Sequence, residues 1–79
     1  MSNAFVRGVH VVMATDGRWQ RYWAVASSRE QALAIVEPFI PTGYRATLTS
    51  QRLTLEQVAA LKLRAGDAKE LMYEPKNSN

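Results

Sequence analysis

The stretch FVRGVHVVMAT-DG-RWQRYWAVA, residues 5–26, decides the fold. Its two apolar, aromatic-rich runs, Phe5 to Thr15 and Arg18 to Ala26, are separated only by Asp16 and Gly17. Asp-Gly between such runs is the signature of a two-residue type I′ hairpin turn. Both central positions of that turn need positive φ, which Gly adopts freely and Asp tolerates. The turn sets Thr15 opposite Arg18 and so assigns side chains to faces. One face carries Phe5, Val9, Val11 and Met13 against Gln20, Tyr22 and Ala24; the other carries Val6, His10, Val12 and Ala14 against Trp19, Arg21, Trp23 and Val25. A three-residue loop with a bulge would shift the pairing by one residue and exchange the partners.

Downstream of the hairpin, Ser27-x-x-Glu30 and Ser28-x-x-Gln31 both have capping-box spacing, which predicts a helix whose buried stripe holds Ala32, Leu33, Ile35 and Val36. Pro38 ends it, and Phe39 and Ile40 are expected to reach the core before Pro41-Thr42-Gly43 turns the chain. A third strand is predicted from Tyr44 to Ser50, with Tyr44, Ala46 and Leu48 on its dry face. Thr54 and Gln57 form a further capping box, opening a helix that places Leu55, Val58 and Ala59 on one side. That helix should stop near Leu61, because continuing would bring Lys62 into the apolar stripe. Lys62 is thereby forced toward the left-handed conformation, with Leu63 packing back on Val58. Asp67-x-x-Glu70 suits a last short helix burying Ala68, Leu71 and Met72, with a short strand as the alternative.

The expected fold is therefore α+β, a small β-β-α-β-α domain with a short C-terminal element. A right-handed crossover makes the third strand parallel to the second, and the first strand, apolar on both faces, fits between them. This gives a three-stranded, mainly antiparallel sheet of order 2-1-3. Order 1-2-3 is the runner-up, and both helices are expected on one face of the sheet. Residues 1–4 are read as a flexible N-terminus, 5–73 as the domain and 74–79 as a disordered tail.

The 79 residues make one small domain, near the size at which burial only marginally offsets chain entropy. The absence of cysteine removes disulfides and thiolate sites, and the sole histidine, His10, has no partners for a metal. Oligomerisation is then the expected source of further stability. No apolar run reaches the length of a membrane span and no secretory signal is evident, so a cytoplasmic location is expected. The net charge of +3 is uneven: the strand segments hold Arg7, Arg18, Arg21, Arg45 and Arg52 against the single acid Asp16. These arginines either steer an anionic partner or cover apolar sheet surface and guard its edges.

With both helices on the first face, the second face, bearing both tryptophans, is left uncovered in a monomer. A non-catalytic binding protein is the expected function, a homodimer through Val12, Trp19, Trp23 and Val25; a variant buries this face under the second helix within one chain and leaves no site. The alternative is binding of single-stranded nucleic acid: bases would stack on Trp19, Trp23 and Tyr22, and phosphates would meet Arg7, Arg18, Arg21 and Arg45. His10 suits a ligand-orienting role in a cleft, though a partly buried structural histidine is the plainer reading. No acid is predicted beside it, Glu30 and Glu56 belong to helix starts, and the glycines are isolated. Neither a general base nor a phosphate-cradling loop is expected, and no cofactor or metal.

Overall fold

A computed structural model describes residues 8–72. The chain runs β1 (Val9–Thr15), β2 (Gln20–Ala26), α1 (Arg29–Val36), one 3-10 turn (Glu37–Phe39), β3 (Arg45–Leu48), α2 (Leu55–Leu61) and β4 (Ala68–Leu71). The sheet is antiparallel throughout and has four strands in the order β3-β1-β2-β4. The expected neighbours β3-β1-β2 are present. The expected three-stranded sheet is corrected by β4, which pairs with β2 and takes its place as an edge.

β4 adopts the strand alternative because β2 needs a partner on its second side. Tyr22, Trp23, Ala24 and Val25 are all buried, so both sides of this strand lie in the interior, where unpaired backbone amides are costly. The Asp67 carboxylate turns back to accept from the Arg64 amide at 3.0 Å instead of capping a helix forward. The Ala26 amide donates to the Asp67 carbonyl at 2.8 Å, and the Gly66 amide to the Ala26 carbonyl at 2.7 Å, zipping the incoming chain onto β2. Leu71 is buried as expected, whereas Met72 stands in solvent.

The hairpin differs from expectation in a way that explains why its faces survive. Thr15 pairs with Gln20, not Arg18, so the loop has four residues, Asp16 to Trp19. Asp16 Oδ1 accepts from the amides of both Arg18 and Trp19 at 2.8 Å, while only Gly17 in this loop has positive φ, at 95°. An acid that satisfies two loop amides with its side chain is an Asx turn, and it needs no left-handed Asp. The register is thus displaced by two residues, one full side-chain period, and each paired residue of Val9–Thr15 and Gln20–Ala26 stays on its expected face. His10 consequently lies opposite Val25, and Trp23 opposite Val12.

The two helices lie on opposite faces, a correction to the expectation that both share one. α1 brings Ala32 and Val36 onto Val12, Ala14, Trp23 and Val25, with Ile40, Tyr44 and Leu48 around them. On the other face Val58 and Leu61 of α2, with Leu63, pack on Val9, Val11, Tyr22, Ala24, Leu53 and Leu71. The handedness rule constrains α1, which joins the parallel pair β2 and β3. It does not constrain α2, which joins the antiparallel edges β3 and β4, and the chain uses this freedom to cover the second apolar face. The crossing is made by Leu53, 1% exposed, which carries the chain round the sheet edge into the far core. Burying a leucine this fully contributes about 1.5–3 kcal/mol.

Local signals set the helix ends. Ser28 Oγ accepts from the Gln31 amide at 3.3 Å, and Thr54 and Gln57 form the reciprocal capping box. Lys62 closes α2 in the left-handed region, φ 54° and ψ 45°, its amide shared between the Val58 and Ala59 carbonyls. Lys69 Nζ reaches back from β4 to the Leu61 carbonyl at 2.7 Å, placing a cation at the negative end of α2. Besides Met72, four residues expected on buried faces are instead exposed: Leu33, Phe39, Leu55 and Ala59. The 3-10 turn through Pro38 swings Phe39 outward and Ile40 inward, and α2 presents Val58 and Leu61 to the sheet in place of Leu55 and Ala59.

Candidate functional site

A polar concavity lies at the start of β1, far along the sheet from the hairpin loop. Gly8, φ 80°, turns the chain into β1, a conformation that glycine adopts without strain. Beyond β3 the chain passes the same place. The Thr49 amide and hydroxyl both donate to the Val11 carbonyl, at 3.0 and 2.8 Å, and the Gln51 amide donates to Thr49 Oγ1 at 3.1 Å. Arg29, first residue of α1, leans across from the third side and donates through Nη1 to the Thr49 carbonyl at 3.3 Å. Residues 8–10, Arg29 and residues 49–52 thereby enclose an open cleft of about 580 Å³.

Among the described residues, the wall of this cleft carries two guanidiniums, Arg29 and Arg52, one imidazole, His10, and no carboxylate. Partial burial, and after it the charges of Arg29 and Arg52, push the His10 pKa below the ordinary imidazole value. His10 is accordingly neutral at pH 7, with one nitrogen free to donate and one to accept. Arg29 keeps further donors after its bond to Thr49, since a guanidinium offers five N–H groups. The arrangement can hold an anion: fixed positive charge on two sides, the Ser50 hydroxyl between, and an adjustable hydrogen-bonding group on the strand beneath.

The tryptophan face, by contrast, is closed. Val12 and Val25 are fully buried and Trp23 is 3% exposed, all beneath α1. The surface through which a homodimer was expected is therefore the core of the chain itself. Only Trp19 of the four expected interface residues is at the surface, 62% exposed in the hairpin loop, with the Arg18 guanidinium 5.8 Å from its ring centre.

The residues expected to grip nucleic acid are likewise dispersed. Arg21 forms a two-pronged pair with Glu70 of β4, Nε to Oε2 and Nη2 to Oε1, each 2.7 Å, and lies over the Trp23 ring at 5.4 Å. Its hydrogen bonds hold the Glu70 carboxyl below the usual carboxylate range, and Glu70 in turn raises Arg21. Arg21 is thus answered within the chain. Tyr22 is buried, its hydroxyl donating to Gln20 at 3.0 Å. Arg18, Trp19 and Arg45 share the hairpin end, Arg45 standing opposite Thr15. Arg7, Phe5 and Val6, and the terminal segments expected to be flexible, lie outside the described residues.

Sequence reasoning counted Arg52 among the strand arginines that either steer an anionic partner or guard an edge, and did not single out Arg29, Thr49 or Gln51. The available signals were Gly8 before an apolar strand and the polar run Thr49-Ser50-Gln51-Arg52 after another, but nothing local says that they meet. Among the described residues there is no group of three or more potential metal ligands, and no helix is long and apolar enough to cross a membrane. Comparison of the chain with protein-family models, curated proteins and solved structures finds no match.

Proposed function

We propose that this chain is a non-catalytic binding protein that captures a small anionic ligand in the cleft between Arg29 and Arg52. The observation that carries this reading is the composition of the wall, in which two guanidiniums meet no acid among the described residues. The volume falls in the range of ~300–1,000 Å³ common for small-molecule sites. The basic sequence, with an isoelectric point near 9.7, favours encounter with anions. An imidazole with no carboxylate beside it among the described residues serves a ligand as a hydrogen-bonding group better than it serves catalysis as a base.

Thermal unfolding in rising sulfate tests the reading. Sulfate stabilises proteins generally by exclusion from their surfaces, so the wild type is compared with the double variant Arg29→Gln/Arg52→Gln. A saturable extra stabilisation of the wild type supports the cleft. Parallel curves for the two proteins contradict it.

A second reading has its own support in the exposure of Trp19 beside Arg18 and Arg45: single-stranded nucleic acid held at the hairpin end. Because Trp23 is buried, quenching of fluorescence by an oligonucleotide reports on Trp19. Quenching at low salt that disappears steeply as salt rises supports this reading, and its absence at low salt removes it.

A further inference from the structure

Building on the reading of the cleft as an anion site, we propose that its ligand is a tetrahedral dianion of the phosphomonoester class, seated between Arg29 and Arg52 and hydrogen-bonded by His10. Charge balance is the first argument. Two guanidiniums fix two positive charges, which a monocarboxylate leaves half neutralised and a dianion neutralises fully. The shape of the donor set is the second. Arg29 comes from a helix, Arg52 from the loop beyond β3 and His10 from a strand, so the donors converge from three directions. A planar carboxylate is gripped along one edge, whereas a phosphoryl group offers three oxygens pointing different ways.

The third argument concerns the proton. Among the described residues, the charged groups facing His10 are Arg29 from α1 and Arg52 from the loop; β2 presents Val25, and the rest of the wall, Gly8, Val9, Thr49, Ser50 and Gln51, is uncharged. Both charges oppose a proton on the ring while the cleft is empty. A dianion cancels them, the proton becomes favourable, and imidazolium then donates to a phosphoryl oxygen. Ligand binding and proton uptake at His10 are coupled by linkage: what the dianion does for the proton, the proton does for the dianion. A monoanion gives roughly half of this effect, since one positive charge remains.

His10 is the sole histidine, so its imidazole resonances report on this site without ambiguity. The experiment follows them by NMR across pH 5–8 at low salt, in the free protein and with methyl phosphate, sulfate or acetate. The proposal expects saturable binding of methyl phosphate and sulfate, at least tenfold tighter than acetate, with the His10 titration raised by about one unit or more at saturation. Sulfate stays doubly charged over this range, so its affinity should climb steadily as pH falls. Methyl phosphate should peak near pH 6, where its own second proton begins to return. His10→Asn should flatten the sulfate pH profile while leaving part of the binding, and Arg52→Gln should weaken both dianions tenfold or more. Dianion binding with an unmoved His10 titration, or acetate binding as tightly as sulfate, overturns the proposal but keeps the anion cleft. If no anion perturbs the cleft in wild-type protein, the proposal and the reading beneath it fall together.

Discussion

At the hairpin end of the sheet, Asp16 closes a loop by accepting from amides two and three residues away, and Thr15 Oγ1 accepts from Gly17 at 3.0 Å. At the opposite end, the cleft draws its wall from residues 8–10, Arg29 and residues 49–52, brought together by Thr49 bonding Val11 across 38 positions of sequence. The hairpin end holds itself in shape. The cleft end is held by the cores beneath it, through Leu53 on one face and Val36 with Ala32 on the other. The difference teaches that this small domain keeps its local order where it exposes an aromatic ring and uses long-range order where it gathers charge.

The largest effect that separates the two ends should come from Leu53→Ala. Truncating a fully buried leucine costs about 2–5 kcal/mol. Because Leu53 follows Arg52 directly, the loss should be accompanied by loosening of residues 49–52 while the loop at 16–19 keeps its structure. Urea unfolding gives the first, and amide hydrogen exchange residue by residue gives the second. Equal loosening at both ends would break the comparison.

Next in size is Arg52→Gln, which removes a charged hydrogen-bond donor worth about 1.5–3 kcal/mol to a bound anion, tenfold or more in affinity. Calorimetric titration with sulfate measures it, and fold stability should barely change. Lys62→Gly should stabilise the protein by up to about 1 kcal/mol, because glycine reaches the left-handed position without the strain that lysine bears. Thermal unfolding reads this gain, and it should leave both ends of the sheet unaltered.

A pH effect of smaller size belongs to His10. Its pKa in the folded chain lies below the ordinary value, so the unfolded chain takes up the proton first as pH falls. The stability it contributes is complete above the ordinary imidazole pKa and declines as pH drops through that value toward the folded one. His10→Asn should remove this part of the pH slope in urea midpoints between pH 8 and 5. The smallest effect is expected for Asp16→Ala, in solvent at the hairpin, which should speed amide exchange at Arg18 and Trp19 and leave anion binding intact.

The reach of sequence reasoning follows the same division. The capping residues Ser28 and Thr54, the left-handed Lys62 and the apolar alternation of β1 and β2 were legible because each depends on neighbours within a few positions. The hairpin loop was misjudged by two residues, and the faces survived since the side-chain period is two. What escaped was everything decided by which helix covers which face. Placing both helices together left Trp23 apparently bare, and once α1 and α2 are divided between the faces, Trp23 becomes core and Trp19 alone remains outside. The cleft escaped for the same reason, since Gly8, Arg29 and Arg52 acquire a common purpose only after the chain has crossed the sheet edge at Leu53.

The most direct test of the account is the map of amide chemical-shift changes when methyl phosphate is added to wild-type protein at low salt. Saturable changes are expected at residues 8–10, residues 49–52 and the start of α1 near Arg29, with residues 16–19 still. Changes centred on Trp19 and the hairpin loop, or no saturable change anywhere, would contradict it.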